Sequence, residues 1–171
     1  MEAWDAGHPW WNQQAIDYLA SQLPAGGTVF EWGAGGSTVW LAARGLAVIT
    51  VESDSMWAAA VRERCPGVCV WYEPDQDRHY QVILDLPPDS LDVVIIDGPV
   101  ARAACARAAA GRVKPGGLVV LDDTNVDYYA AAGAAFAGWD AVTFTGPKAG
   151  CDGDWSTTFY RKECNDPPPV A

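Results

Sequence analysis

Glycines stand at positions 33, 35 and 36, directly after the apolar run Thr28–Trp32, in the segment TVFEWGAGGSTVWLA. Glycines at such a strand-to-helix turn allow tight dihedrals and let a nucleotide-like ligand approach the backbone closely. Two carboxylates flank the place where that ligand would lie. Glu31 comes just before the turn, and Glu52 ends the next apolar run, AVITVE, roughly 20 residues further on. A dinucleotide site wants a third glycine where Thr38 stands, and its pyrophosphate would meet the negative charge of Glu31. A ligand with positive charge turns Glu31 into an asset. An acid at the place of Glu52 suits a ribose, because one carboxylate accepts from both O2′ and O3′.

A second set of acids ends two later runs. Asp97 closes DVVIID, and Asp122 and Asp123 follow GLVVL. Neighbouring strand ends bring the three into one cleft, where like charges raise each other's pKa unless a cation relieves them. Relief comes either from a cationic ligand near Asp97 or from a hard divalent ion such as Mg2+ held by Asp97, Asp122 and Asp123. The plainer reading of Asp122 or Asp123 is a cap on the following turn. A general base is needed if an acceptor hydroxyl must ionise, and imidazole titrates near neutrality. Of the two histidines, His8 lies in the segment GHPWW expected near the ligand and is the candidate; His79 reads as a surface residue.

The elements that must position these groups alternate. Strands are expected at Thr28–Trp32, Ala47–Glu52, Val68–Tyr72, Asp92–Asp97 and Gly117–Asp122, with two closing strands at Ala141–Thr145 and Thr157–Arg161. Helices are expected at Trp11–Leu23, Ser37–Arg44, Asp54–Arg64, Val100–Val113 and Val126–Phe136, and a short helix or loop at Gln81–Ser90. This alternation predicts a doubly wound α/β sheet whose ligand sits at the carboxyl ends of the strands. No repeat or boundary divides the chain, so one domain is expected over residues 1–164, with a disordered tail over 165–171.

Of the 171 residues 50% are hydrophobic, enough for one domain-sized core, and most of the nine tryptophans are expected in it. The formal charge of −11 repels phosphate backbones and anionic lipid, which argues against nucleic acid or a membrane surface as partner. No apolar run is long enough to span a bilayer. Arg102, Arg107 and Arg112 wind around a helix and read as solvated surface. The start MEAWDAGHPWW lacks the cationic and apolar parts of a secretion signal. Together with an odd set of five cysteines and no metal-binding spacing, this predicts reduced thiols in a cytoplasmic protein.

S-adenosylmethionine carries an ammonium and a sulfonium and no phosphate, which suits the charge of the turn. The segments VFEWGAGGSTVWLA, ITVESDSMW, VVIIDGPVAR and KPGGLVVLDDT resemble motifs of class I S-adenosylmethionine-dependent methyltransferases, over roughly Gly7 to Arg161. The likeness is strongest to small bacterial and phage members, with an E-W-G-x-G-x-S-T turn, I-D-G, L-D-[DN] and a T-x-F-Y-R close. Here these are Glu31–Thr38, Ile96–Gly98, Leu121–Asp123 and Thr157–Arg161.

The resemblance implies a Rossmann-like fold, a seven-stranded mostly parallel sheet flanked by helices, in the order 3-2-1-4-5-7-6 with strand seven antiparallel. It implies methyl transfer to a small-molecule acceptor, at a hydroxyl oxygen. Glu31, Gly33 and Gly35 would approach the amino-acid moiety of the cofactor, Glu52 its ribose, and Asp97 the region of the reacting methyl. Ser37 and Thr38 either add contacts or cap the helix. Asp54 and Trp57 either line the adenine side or serve as a cap and a core indole. The acids at 97, 122 and 123 also resemble those of catechol and macrocin-type sugar O-methyltransferases, in which magnesium orients hydroxyls. The chain departs from both groups, with Val100 in place of a lysine and Pro99 in place of a further acid. The acceptor would be walled by the N-terminal segment and the loops Asp123–Tyr129 and Gly146–Trp155. A nicotinamide-dependent oxidoreductase is disfavoured by Glu31 and Thr38; a module that binds the cofactor without catalysis is the other alternative.

Overall fold

A strand that is apolar along its whole length must be covered on both faces, and such runs make the middle of the sheet. The structure is a computed structural model that describes residues 2–164; the expectation for residues 165–171 lies outside the described residues. In chain order the elements are α1 (Glu2–Ala6), α2 (Gln13–Gln22), β1 (Thr28–Trp32), α3 (Gly36–Ala42), β2 (Ala47–Glu52), α4 (Ser55–Arg64), β3 (Cys69–Tyr72) and α5 (Gln76–His79). A 3-10 stretch (Tyr80–Asp85), β4 (Leu91–Ile96), α6 (Arg102–Ala110), β5 (Val113–Leu121) and α7 (Asp127–Ala130) follow. A second 3-10 stretch (Ala131–Phe136), β6 (Asp140–Pro147) and β7 (Asp154–Arg161) complete the chain. The sheet order is β3-β2-β1-β4-β5-β7-β6, as expected. All pairs are parallel except those of β7, which runs antiparallel to β5 and β6.

Successive strand residues point to opposite faces, and the two faces make two cores. Phe30, Trp32, Val94, Ile96, Val119 and Leu121 pack under Cys105, Ala106 and Ala109 of α6 and against Phe136. Val29, Val93, Ile95, Val120 and Phe159 pack under Ala15, Ile16 and Leu19 of α2 and Trp40 and Leu41 of α3. Asn12 caps α2, its side chain accepting from Ala15 N at 3.0 Å, and Pro24 follows the helix's end.

The structure moves some expected boundaries. The helix expected over Val126–Phe136 is α7 and then the second 3-10 stretch. No side chain caps its start at Val126, and Gly133 lies within it. Strand β5 begins four residues early, at Val113, because Val113 pairs with Leu91 across a register shift. The tryptophans are less buried than expected: only Trp11, Trp32 and Trp40 are core, while Trp10 and Trp71 are 39% and 50% exposed. Two of the indoles outside the core, Trp10 and Trp57, line the cleft described below.

All five cysteines are unpaired, Cys105 in the core and Cys65, Cys69, Cys151 and Cys164 nearer the surface. Thiol titration of freshly purified, denatured and unreduced protein is therefore expected to return five thiols; a lower count would reveal a bridge that this arrangement does not hold.

Candidate active site

The turn after β1 uses its glycines for different ends. Gly33 sits at φ +97°, and a Cβ placed on it would lie 2.5 Å from the backbone nitrogen of Gly98. The close approach is fixed by Trp32 O, which accepts from Gly98 N at 2.8 Å and Asp97 N at 3.0 Å, so β1 and β4 end side by side. Gly33 is thus required by the fold. Gly35, at the start of α3, is extended, and a Cβ there would meet nothing within 4 Å. It faces open space.

Behind this turn lies Glu31, fully buried. Ser37 Oγ donates to its Oε1, and Thr38 Oγ1 donates to its Oε2 while accepting from Gly35 N at 3.0 Å. Burial pushes the Glu31 carboxyl up to about 7; the two hydroxyls offset part of that rise, and the nearby charge of Asp97 adds to it. Glu31 was expected at the ligand, and Thr38 either there or as a helix cap, which is the part it plays. The structure instead places both behind the turn, where they tie β1 to α3; Ser37 does both, since it also reaches the cleft wall.

At the carboxyl ends of β1, β2, β4 and β5 a cleft of about 640 Å³ opens, walled by residues from every expected segment. Gly33, Gly35, Ser37, Glu52, Asp54, Trp57 and Asp97 all line it. Glu52 is held from below: Oε2 accepts from Ala34 N at 2.8 Å and Oε1 from Asp54 N at 2.7 Å. Ser53 Oγ also donates to Oε1 at 3.4 Å, so the acceptor site left open is on Oε2. Asp54 caps α4 by accepting from Met56 N and Trp57 N, and also contributes to the wall. Trp57 stands edge-on to Trp10 at 5.8 Å and to Trp4 at 5.2 Å, so the N-terminal segment closes one side.

Neither histidine is where it was expected. His8 is exposed and is not part of the wall, because its neighbours Gly7 and Pro9 are the buried residues of the segment. Arg64 fixes the preceding turn by donating to the carbonyls of Trp4 and Asp5. His79, read as a surface residue, is 1% exposed. Helix α5 turns it inward, where Nδ1 faces Glu73 O at 3.0 Å and Nε2 has no partner.

Asp97, Asp122 and Asp123 do converge, each offering an oxygen within 4.8 Å of the others. Their neighbours were largely not foreseen. Arg102, read as helix surface, is 3% exposed. Its guanidinium donates to the carbonyls of Gly98, Asp97 and Asp122, and stacks 3.8 Å from the Tyr129 ring centre. Trp11 Nε1 donates to Asp97 Oδ2 at 3.0 Å, and Thr157 Oγ1 to Asp122 Oδ1 at 2.5 Å. Lys148, from the end of the β6–β7 hairpin, donates to Asp123 Oδ1 and, at 3.3 Å, to Asp122 Oδ2. No spacing in the sequence pointed to Lys148; its one signal is to be the lysine of a glycine-rich loop, TGPKAG.

Charge in this corner is shared unevenly. Burial raises the Asp122 carboxyl well above the ordinary range, and Asp97 beside it adds to the rise against Lys148. Burial also raises Asp97, with Arg102 and the Trp11 N–H opposing. Burial works against the charge of Lys148, but Asp122 and Asp123 more than offset it and hold the ammonium above its ordinary pKa. The two partners of the Lys148–Asp122 contact thus pull in opposite directions. We assign the ion pair to Lys148 and Asp123, with Asp122 displaced toward its protonated form. A divalent ion does not fit among these residues as they stand: the spacing suits one, but the ammonium of Lys148 already lies between two of the three carboxylates.

Compared by sequence, the chain matches no protein-family model and no curated protein. Compared by structure, it is similar to an O-methyltransferase from Bacillus cereus in complex with SAH (S-adenosylhomocysteine), at 20% identity and TM-score 0.69, over 89% of this chain and 82% of that one. A precorrin-6y C5,15-methyltransferase from Geobacter metallireducens matches at 17% identity and TM-score 0.65, over 88% of this chain and 86% of that one. A spermidine synthase from Thermotoga maritima matches at 18% identity and TM-score 0.61; the chain covers 55% of its length, and 83% of this chain is matched. Strand order, antiparallel β7, glycine turn and these neighbours agree: the chain has the fold of the class I methyltransferases.

Proposed function

We propose that the chain binds S-adenosylmethionine in this cleft and transfers its methyl group to a hydroxyl oxygen of a small molecule. The observation that carries this reading is Gly35. Its backbone needs no glycine, and nothing in the protein fills the space a side chain would take, so its smallness serves a ligand lying across the turn. The neighbouring groups suit that cofactor. Glu52 keeps an acceptor site on Oε2 for a ribose hydroxyl, Trp57 and Trp10 offer aromatic edges and faces, and Asp97 brings negative charge toward a sulfonium. A pyrophosphate would find carboxylates at 52, 54 and 97 instead.

When bound, the cofactor would supply an electrophilic methyl carbon for the acceptor oxygen, with the sulfur as leaving group keeping the electron pair and the acceptor giving up its proton. This chain's residues do the rest. Asp97, raised by its burial, is the carboxylate placed to take that proton, and Trp11 fixes its orientation. Tyr129 and Lys148 wall the acceptor end, so that positioning and exclusion of water supply much of the rate. A small acceptor is supported by the charge of −11, which disfavours nucleic acid, and a hydroxyl by the O-methyltransferase neighbour.

Calorimetric titration tests the cofactor. SAH is expected to bind and NAD to bind far more weakly. Glu52→Ala leaves a ribose hydroxyl and two backbone N–H groups without a charged partner, and should weaken SAH by about 1.5–3 kcal/mol, roughly 10- to 150-fold. Tighter binding of NAD than of SAH would end the assignment. An acceptor screen that follows SAH release then tests the hydroxyl.

A further inference from the structure

We propose that Lys148 is the built-in counter-ion of the acidic corner, filling the position a divalent cation would otherwise take, so that this cleft works without metal. The corner offers three carboxylate oxygens within 4.8 Å of one another, a spacing that suits a hard cation. Lys148 supplies the charge instead. Its side chain is 8% exposed, it donates to Asp122 and Asp123, and its ammonium sits 4.4 Å from the Trp155 ring centre.

The position is built rather than casual. Lys148 forms an isolated backbone bridge with Asn12, whose side chain also donates to Phe144 O at 3.0 Å and Trp155 O at 3.3 Å. The N-terminal segment therefore pins the hairpin end that delivers the lysine. Arg102 shares the compensation of Asp97 and Asp123, its Nη2 lying 3.8 Å from Asp97 Oδ1 and 3.7 Å from Asp123 Oδ2, but its hydrogen bonds go to three main-chain carbonyls, so Lys148 is the cation that donates directly to the carboxylates. A divalent ion admitted beside an ammonium would meet like charge and find two of its oxygens already engaged. An ammonium has three donors and two are used on the carboxylates, which leaves one N–H for an oxygen brought into the cleft. In the transfer proposed above, on which this part alone rests, Lys148 is a positioning residue for the acceptor. An acceptor held by one N–H needs one oxygen there, whereas a metal would favour a chelating pair.

The test is metal binding by the full chain, read by electron paramagnetic resonance of Mn2+ and by calorimetry, in wild type, Lys148→Met, Lys148→Arg and the double variant Lys148→Met with Asp123→Asn. Wild type and Lys148→Arg are expected to leave Mn2+ free, Lys148→Met to bind it at least tenfold more tightly than wild type, and the double variant to lose that gain. If Lys148→Met is unfolded in chelator, added Mn2+ must restore its circular dichroism. Mn2+ binding to wild type as tight as to Lys148→Met overturns the proposal, as does a Lys148→Met variant that neither binds nor is restored by the ion. SAH titration of the same proteins separates the two readings: loss of SAH binding by wild type would remove the methyl-transfer reading and leave the Mn2+ result standing.

Discussion

Gly33→Ala is expected to cripple folding, and Gly35→Ala to leave folding intact while abolishing most cofactor binding. At Gly33 the added Cβ would press on backbone atoms of Gly98 at 2.5 and 2.8 Å, in a left-handed region with φ +97°. Backbone cannot step aside as a flexible side chain does. Strain of about 1–2 kcal/mol for the conformation and about 1–3 kcal/mol for the overpacking add to roughly 2–5 kcal/mol. For a domain of this size that lowers the melting temperature by roughly 5–20 °C. Gly35 carries neither penalty, since it is extended and open. Its Cβ would project into the cleft, and overlap with a ligand there should weaken SAH by about 5- to 150-fold. Calorimetry for binding and thermal unfolding for stability read the pair. A Gly35→Ala protein that melts normally and binds SAH as wild type does would remove the observation on which the proposed function stands.

The second large effect is one of pH. Glu31 titrates near 4.5 in an unfolded chain and is pushed up to about 7 in the folded one, chiefly by burial. Between those values the folded protein holds a proton that the unfolded chain has lost. Stability contributed by that proton is complete below pH 4.5, falls as pH rises through the window, and is gone above about 7. The span amounts to on the order of 3 kcal/mol. Glu31→Gln imitates the protonated acid, so denaturant unfolding from pH 5 to 8 should show a flatter profile for the variant and greater stability than wild type at pH 8. Asp97 and Asp122 are raised as well and tilt both profiles in the same direction. The difference between wild type and variant isolates Glu31. Equal slopes would show that this carboxyl is ionised throughout. A cationic ligand at the turn adds a further consequence: it lowers the pKa of Glu31, so binding near pH 6.5 should release protons, seen as heats that depend on buffer ionisation.

Strands β1 and β2 were legible to the residue, because each is an apolar run that stops at a turn signal; the cap of α4 was legible only as Asp54 or its neighbour Ser55, and it is Asp54. The sheet order came from the family resemblance and not from periodicity. What stayed hidden are contacts that only the closed fold creates. Arg102 sits in an alanine-rich helix like Arg107, with Arg112 just past its end, and nothing local distinguishes the one whose guanidinium ends under three carbonyls. Glu31 was read by its position before the turn; its occupation by Ser37 and Thr38 depends on how α3 leaves the strand. Lys148 meets Asp122 and Asp123 across 26 and 25 residues through a hairpin whose register the sequence does not print. His79 went inward because a helix of only four residues turns it there, too short to show a period.

The N-terminal segment that walls the cleft has its partners far along the chain. Trp11 bonds Asp97 across 86 residues, and Asn12 bonds Phe144 and Trp155 across 132 and 143. During synthesis Trp11 and Asn12 leave the ribosome well before the partners they bind; those of Asn12, Phe144 and Trp155, lie 132 and 143 residues further on, in the hairpin. Contacts of such sequence separation form late and slowly. A nascent chain stopped before β7 therefore already holds Tyr129 and Lys148, but it lacks the strand whose pairing with β6 and whose Trp155 carbonyl, bonded by Asn12, fix the place of Lys148.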